Sequence, residues 1–356
     1  MTLDDLPTPC LVLDLGILRR NLAHMQAAIA RHPGVVLRPH MKTAKSIEVA
    51  RLAAPGFGPI TVSTLAEAQY FADAGWHDQI YAVGITPQKL DRAAALGCKV
   101  ITDDLEAAAA IAAHPAPLRA LVEIDVGEGR GGVAPGEALA IARVLGPRLA
   151  GIFTHAGHSY AGRSAEQMRA IAGQERAGAA DAAQALREAG LTVEIVSLGS
   201  SPTALHAESL AGITEVRAGV YMFGDLFQAQ LGTHGMADIA MTVLASVIGR
   251  KPARQALLLD AGGLAMSKDR STAAAPVDYG FGLMLDVDGQ PSWGHAIMTR
   301  THQEHGEVSP APSLAIGARV RVAPNHTCMT AAAYPCYHVV DGGRDVLAVW
   351  DRVNGW

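Results

Sequence analysis

Two short stretches of this 356-residue chain combine residue types that can do chemistry. The first is RPHMK, which ends on Lys42 directly after a short apolar run. A lysine partly withdrawn from water can lose its proton and condense with an aldehyde as a Schiff base. From position alone, a solvated loop lysine is the plainer reading. The second stretch is His326-Thr327-Cys328. If 319–328 runs as a strand, residues two apart face the same side. An imidazole and a thiolate on one face make half of a zinc site, with positions left for water or substrate. A structural histidine beside a buried cysteine is the plainer alternative.

A phosphate group needs backbone N–H groups and small hydroxyls near a helix start. SLGSSPT supplies Gly199, Ser200, Ser201 and Thr203 where a strand turns into a helix, with Pro202 suited to the first helical turn. RAGVYMFGD supplies Gly219 and its neighbour Val220 one strand later. Ordinary N-capping by serine explains the first motif equally well. Gly127, Gly129 and Gly132 match a dinucleotide fingerprint, but no mononucleotide half follows, so the stretch reads as a rim loop. His155 and His158 end the sixth strand and could meet cofactor or substrate. His302 and His305 read as solvated, and Lys45 as part of a helix surface.

These residues need elements to hold them. Apolar runs at 35–39, 60–64, 79–84, 98–102, 118–127, 149–157, 192–199 and 213–219 read as strands, most of them followed by an Ala-rich helix such as 43–54. Near-continuous apolar strands separated by helices indicate a parallel sheet buried on both faces. Eight units are what a closed barrel requires, with its site at the C-terminal strand ends; an open doubly wound sheet is the competitor. After about residue 236, β-type runs follow without helices between them. The expected architecture is therefore α/β: a (β/α)8 TIM-type barrel over 15–236 and a mostly antiparallel β domain over 237–356. Residues 1–14, with the run PCLVLDL, are assigned to that second domain.

Composition narrows the function. The formal net charge is −5, without a basic block, which speaks against a nucleic-acid surface. No apolar run approaches the roughly 20 residues of a membrane span. The N-terminus makes a poor secretory signal, and the four scattered cysteines do not read as a disulfide framework. A cytoplasmic location is expected.

Taken together, RPHMKTAKS, the opening TPCLVLDLGILRRNLAHMQ, THAGHSY, SLGSSPT, RAGVYMFGD and PNHTCMTAAAYP resemble, in order, the motifs of the D-serine dehydratase and D-threonine aldolase family, alanine-racemase-like enzymes of fold type III. The resemblance spans nearly the whole chain. It implies a homodimer with pyridoxal 5'-phosphate on Lys42, and a divalent metal on His326 and Cys328: zinc from the thiolate, with manganese as the alternative. It places Tyr160, Ser201, Gly219 and the Val220 backbone at the cofactor, with Thr203 beside them. Within the family, His-x-Cys marks the dehydratases and His-x-Asp the aldolases. Ala44 stands where family members commonly have histidine, and Val220 where a polar residue is often found. The resemblance thus implies a lyase on D-β-hydroxy amino acids, with D-serine or D-3-hydroxyaspartate giving a 2-oxo acid and ammonia. Retro-aldol cleavage to glycine and an aldehyde needs the same parts. A racemase would need a second base, for which Tyr279 is a candidate. A non-catalytic cofactor-binding barrel would not need the last 120 residues.

Overall fold

The computed structural model describes residues Met1–Trp356, and it divides into two compact units. One comprises His24–Gly219 with Gly355–Trp356; the other comprises Met1–Ala23 with Val220–Asn354.

The strands in chain order are β1 (Cys10–Asp14), β2 (Val36–Pro39), β3 (Ile60–Val62), β4 (Gln79–Gly84), β5 (Lys99–Thr102), β6 (Ala120–Ile124), β7 (Leu149–Thr154), β8 (Ile195–Leu198) and β9 (Glu215–Ala218). β2 to β9 form the parallel sheet of the first unit, in the order β2-β9-β8-β7-β6-β5-β4-β3. A bridge from His40 to Thr61 joins the two ends, so the sheet returns on itself as a TIM-type barrel. The apolar runs form central strands because both of their faces are covered: every residue of β6 and β7 is buried. Ile80, Ile101, Leu121, Ala150 and Phe153 pack together in one core cluster. Each such large side chain contributes about 1.5–3 kcal/mol by leaving water.

Side-chain caps start several of the intervening helices. Thr64 accepts from the Glu67 N–H, Asp104 from Glu106 and Ala107, and Ser164 from Gln167. One helix departs from expectation. The run 43–54 does not begin a helix at its first residue: Lys42–Ala44 form a turn, Lys45 has φ +49°, and the helix occupies Ile47–Ala53. A left-handed residue cannot join a right-handed helix. Lys45 therefore lies before the helix, not on its surface.

In the other unit, β10 (Met241–Lys251), β11 (Ala256–Leu259), β12 (Leu283–Leu285), β13 (Ile297–Thr301), β14 (Gly306–Ser309), β15 (Arg319–Ala323), β16 (Cys336–Val340) and β17 (Ala348–Asp351) join β1 in a nine-stranded sheet. Six of these, β11-β14-β13-β12-β15-β10, close into a ring through the β10–β11 pairing. β1 pairs antiparallel with β10 and parallel with β16; every other pairing in this sheet is antiparallel. A second departure concerns 319–328. The strand ends at Ala323, and His326 stands just before a short helix, Thr327–Ala331. No helix in the chain is long and apolar enough to cross a membrane.

Candidate active site

The barrel rim is built from strand ends. Lys42 is exposed in the turn after β2. Its N–H donates to His40 Nδ1 at 3.5 Å. Burial pushes the His155 imidazole down to about 3, and the nearby Lys42 charge adds to the effect. Burial and Lys42 act on His40 in the same direction. Both rings are therefore neutral near pH 7. The His155 Nδ1–H donates to the Gly199 carbonyl at 3.0 Å, which leaves its Nε2 as the unprotonated nitrogen.

Gly199 shows why a glycine follows β8. Its φ is +137°, and a Cβ there would strike the Arg217 carbonyl. Gly219 is required by close approach: a Cβ would lie 2.8 Å from the His40 carbonyl and 3.0 Å from Thr43 Oγ1. Ser200 Oγ accepts the Thr203 N–H at 3.2 Å and meets Ser159 Oγ at 3.0 Å. That contact ties the turn containing Tyr160, Gly157–Ala161, to the N-cap of the helix that Ser201 opens, Ser201–His206. Ser201 and Thr203 are both buried. The Thr203 hydroxyl donates to Glu175 Oε2 at 2.7 Å. Val220, next after Gly219, opens the buried turn Val220–Met222 of the other unit.

Glu175 is the residue that sequence reasoning missed. It is fully buried, and also accepts the Gly199 N–H at 2.9 Å and the Thr154 hydroxyl at 3.0 Å. A signal existed. Met168, Ala172, Glu175, Ala179 and Ala182 fall on the buried stripe of the helix Ala165–Glu188, with the acid in phase with the apolar residues. Arg217 was missed as well. Its guanidinium lies 3.4 Å from the centroid of the Phe153 ring, and its Nε donates to Ser197 Oγ at 2.8 Å. Burial pulls Arg217 down to about 10, against the pull of Glu215, Glu175 and Glu123, so it remains a cation. Arg38 pairs with Glu215 at 2.8 Å and with Asp78 at 3.1 Å. Arginines inside otherwise apolar strands were the available clue.

The glycine-rich loop after β6 folds onto acids. Asp125 Oδ1 accepts from Gly127, Glu128 and Gly129 at 2.8, 2.9 and 3.2 Å, and Asp103 accepts from Gly132 at 2.7 Å. Those N–H groups are committed, which agrees with a rim loop and not with a dinucleotide site. His158 Nδ1, by contrast, is buried without a hydrogen-bond partner. An amine at a strand end, neutral imidazoles, hydroxyls and an unsatisfied ring nitrogen fit a polar aldehyde cofactor such as pyridoxal 5'-phosphate.

The second cluster belongs to the β unit. His326 is extended, at φ −141° and ψ 104°, while Thr327 and Cys328 are already helical. This strand-to-helix corner does what a continuous strand was expected to do: it brings His326 and Cys328 close enough that, against the effect of burial, Cys328 pushes the His326 imidazole up. His326 Nδ1 lies 3.7 Å from Asp269 Oδ2, and Asp269 accepts the Ser271 N–H at 2.9 Å. Asp225 is fully buried, accepts the Thr327 N–H at 3.1 Å, and is pushed up to about 6 by burial. No three His, Cys, Asp or Glu side chains form a ready metal shell anywhere in the chain. An imidazole and a sulfur with a carboxylate behind the imidazole fit a two-ligand site for a zinc-like ion. His302 and His305 are exposed at the tip of the β13–β14 hairpin.

Comparison with known proteins agrees with this geometry. The model described as "Alanine racemase, N-terminal domain" matches residues 13–226, and "Putative serine dehydratase domain" matches residues 240–340. D-threo-3-hydroxyaspartate dehydratase of Delftia sp. (strain HT23) is 43% identical over 380 residues, covering 100% of this chain and 99% of that enzyme. D-serine dehydratase of Dictyostelium discoideum is 29% identical, covering 99% and 98%. D-threonine aldolase of Arthrobacter sp is 31% identical, covering 97% and 91%. The solved Delftia dehydratase superposes with a TM-score of 0.94 at 42% identity, over 100% of both chains. Solved D-threo-3-hydroxyaspartate dehydratase variants with a histidine or, two positions on, a cysteine changed to alanine share that TM-score, the cysteine variant in a metal-free form. The chain therefore belongs to the alanine-racemase-like, fold-type III family of pyridoxal-phosphate lyases that contains these dehydratases and aldolases.

Proposed function

We propose that this lyase is a metal-assisted dehydratase of D-β-hydroxy amino acids, acting on D-3-hydroxyaspartate or D-serine to give a 2-oxo acid and ammonia. The observation that carries the choice is the His326–Cys328 pair, on a chain 43% identical end to end to a D-threo-3-hydroxyaspartate dehydratase.

Lys42 would hold pyridoxal 5'-phosphate, with Tyr160, Ser201, Thr203, Gly219 and Val220 around it. Thr203 acts here through the loop it braces, because its hydroxyl is given to Glu175. When bound, the cofactor ring supplies an electron sink for charge at the substrate α-carbon. Lys42 Nζ would serve as the base for the substrate α-proton. The neutral rings of His40 and His155 leave that amine without a competing cation on either imidazole. His326 and Cys328 would hold a divalent ion, zinc by preference for the sulfur, and that ion would make the β-hydroxyl a better leaving group. Water leaves first, and hydrolysis of the resulting enamine releases ammonia and the 2-oxo acid. The family's dimer belongs to the same proposal.

The test is to incubate the purified protein with pyridoxal 5'-phosphate against D-serine, D-threonine and D-3-hydroxyaspartate, with and without a chelator. Release of 2-oxo acid and ammonia, lost on chelation, is the expected result. Glycine plus an aldehyde would move the chain to the aldolases.

A further inference from the structure

We propose that Lys45 is a positioning residue for Lys42, acting through a buried ion pair with Glu67 that fixes the turn from which Lys42 projects. The inference rests on the reading of Lys42 as the cofactor-bearing amine.

Lys45 has φ +49°, a conformation that a long L side chain adopts only at a cost. Something outside the residue must hold it there. Two contacts do so. Its N–H donates to the Met41 carbonyl at 2.7 Å, closing the turn around Lys42. Its Nζ lies 3.3 Å from Glu67 Oε1, with side-chain exposures of 16% and 1%. Glu67 is itself immobilised. Its Oε2 accepts the Ser63 N–H at 3.0 Å, its Oε1 accepts the Thr64 hydroxyl at 3.3 Å, and its own N–H donates to Thr64 Oγ1 at 3.0 Å. The anion is thus bolted to the end of β3 and to the first turn of the helix Leu65–Asp73.

The same turn is tied on its other sides. Met41 N–H donates to the Thr61 carbonyl at 2.8 Å. Gly219 packs so closely that a Cβ would crowd the His40 carbonyl and Thr43 Oγ1. Backbone contacts alone would let the turn pivot. The Lys45–Glu67 pair pins its far end, and that sets where the Lys42 Cα stands. A reacting group misplaced by ~1 Å loses on the order of 100-fold in rate. Lys45 never needs to touch the cofactor to have that effect.

The experiment compares two probes on cofactor-stripped protein. Pyridoxal 5'-phosphate can bond covalently to Lys42; pyridoxine 5'-phosphate, with an alcohol in place of the aldehyde, cannot. Attachment is followed by borohydride reduction and the mass of the Lys42 peptide. In Lys45→Met, attachment is expected to slow by about 10-fold or more, with pyridoxine 5'-phosphate affinity within about twofold of wild type. Lys45→Arg, which keeps the charge, should recover most of the rate. Equal losses on both probes would show that Lys45 only supports the fold of the rim and would overturn the proposal, as would unchanged attachment. If Lys45→Met does not fold, Lys45→Met with Glu67→Gln removes both charges together and keeps an acceptor for Ser63; the same split between probes is expected. Wild-type protein that is not labelled at Lys42 would overturn the cofactor reading itself, and this inference with it.

Discussion

The barrel rim and the His326–Cys328 corner hold their reactive groups still by different means. At the rim, the parts come from residues as far apart as Lys42 and Gly219, and buried charges join them. Glu175 ties Thr154, Gly199 and Thr203 together, and Lys45 reaches to Glu67. In the corner, two side chains two positions apart converge because the backbone turns from strand to helix between them. One arrangement is distributed and depends on many partners. The other is local and depends on one turn and the carboxylate behind it. Damage to the first should spread into stability, whereas damage to the second should stay with the metal.

The largest effects test whether the two regions are separable. Lys42→Ala should lower turnover by at least about 100-fold, the scale of a lost base, while metal content stays at the wild-type level. Cys328→Ala should reverse the pattern, with cofactor still attached to Lys42 and metal lost. Metal analysis and borohydride labelling of both variants read the two columns independently. A Cys328→Ala protein that is metal-free and fully active would remove the metal from the chemistry.

Glu175→Gln tests the distributed half. The amide keeps the size but loses the charge, and its N–H₂ must face a donor on one side, either the Gly199 N–H and Thr154 hydroxyl at the Oε1 position or the Thr203 hydroxyl at the Oε2 position. Loss of hydrogen bonds to a buried charge, next to the buried Arg217, is expected to cost about 3 kcal/mol in urea unfolding. Cofactor affinity should fall with it, since the loop starting at Gly199 loses its brace. A variant as stable as wild type would mean that the carboxylate contributes no more than a neutral acceptor would.

The same contrast decides what could be read before the structure. The barrel was legible because β/α units announce themselves by alternating apolar runs and Ala-rich segments, and Lys42 because it follows such a run. His-x-Cys was legible as a spacing, although the geometry behind it was not: the strand stops at Ala323, and a corner brings the pair together. The braces were harder to see, because an ion pair such as Lys45–Glu67 depends on a turn whose left-handed residue carries no glycine or asparagine to advertise it. Thr203 shows the converse. Its residue type fitted a phosphate contact, but a carboxylate from a helix 28 positions back in the chain takes the hydroxyl.

Asp269→Asn should give the smallest effect and is the sharpest test of the local half. Asp269 lies 3.7 Å from His326 Nδ1 and is itself fixed by the Ser271 N–H at 2.9 Å, which orients the ring without supplying a ligand from the corner. Outer carboxylates of this kind are generally worth about 10–100-fold in metal affinity. The amide oxygen can still accept from Ser271, with the N–H₂ then facing the imidazole, so the fold should be preserved and the loss should appear in a chelator-competition titration. Attachment of cofactor to Lys42 should not change. A much larger loss would make Asp269 a ligand in its own right and the corner a three-ligand site. No loss at all would leave His326 oriented by its backbone and Cys328 alone, making this region even more local than its geometry suggests.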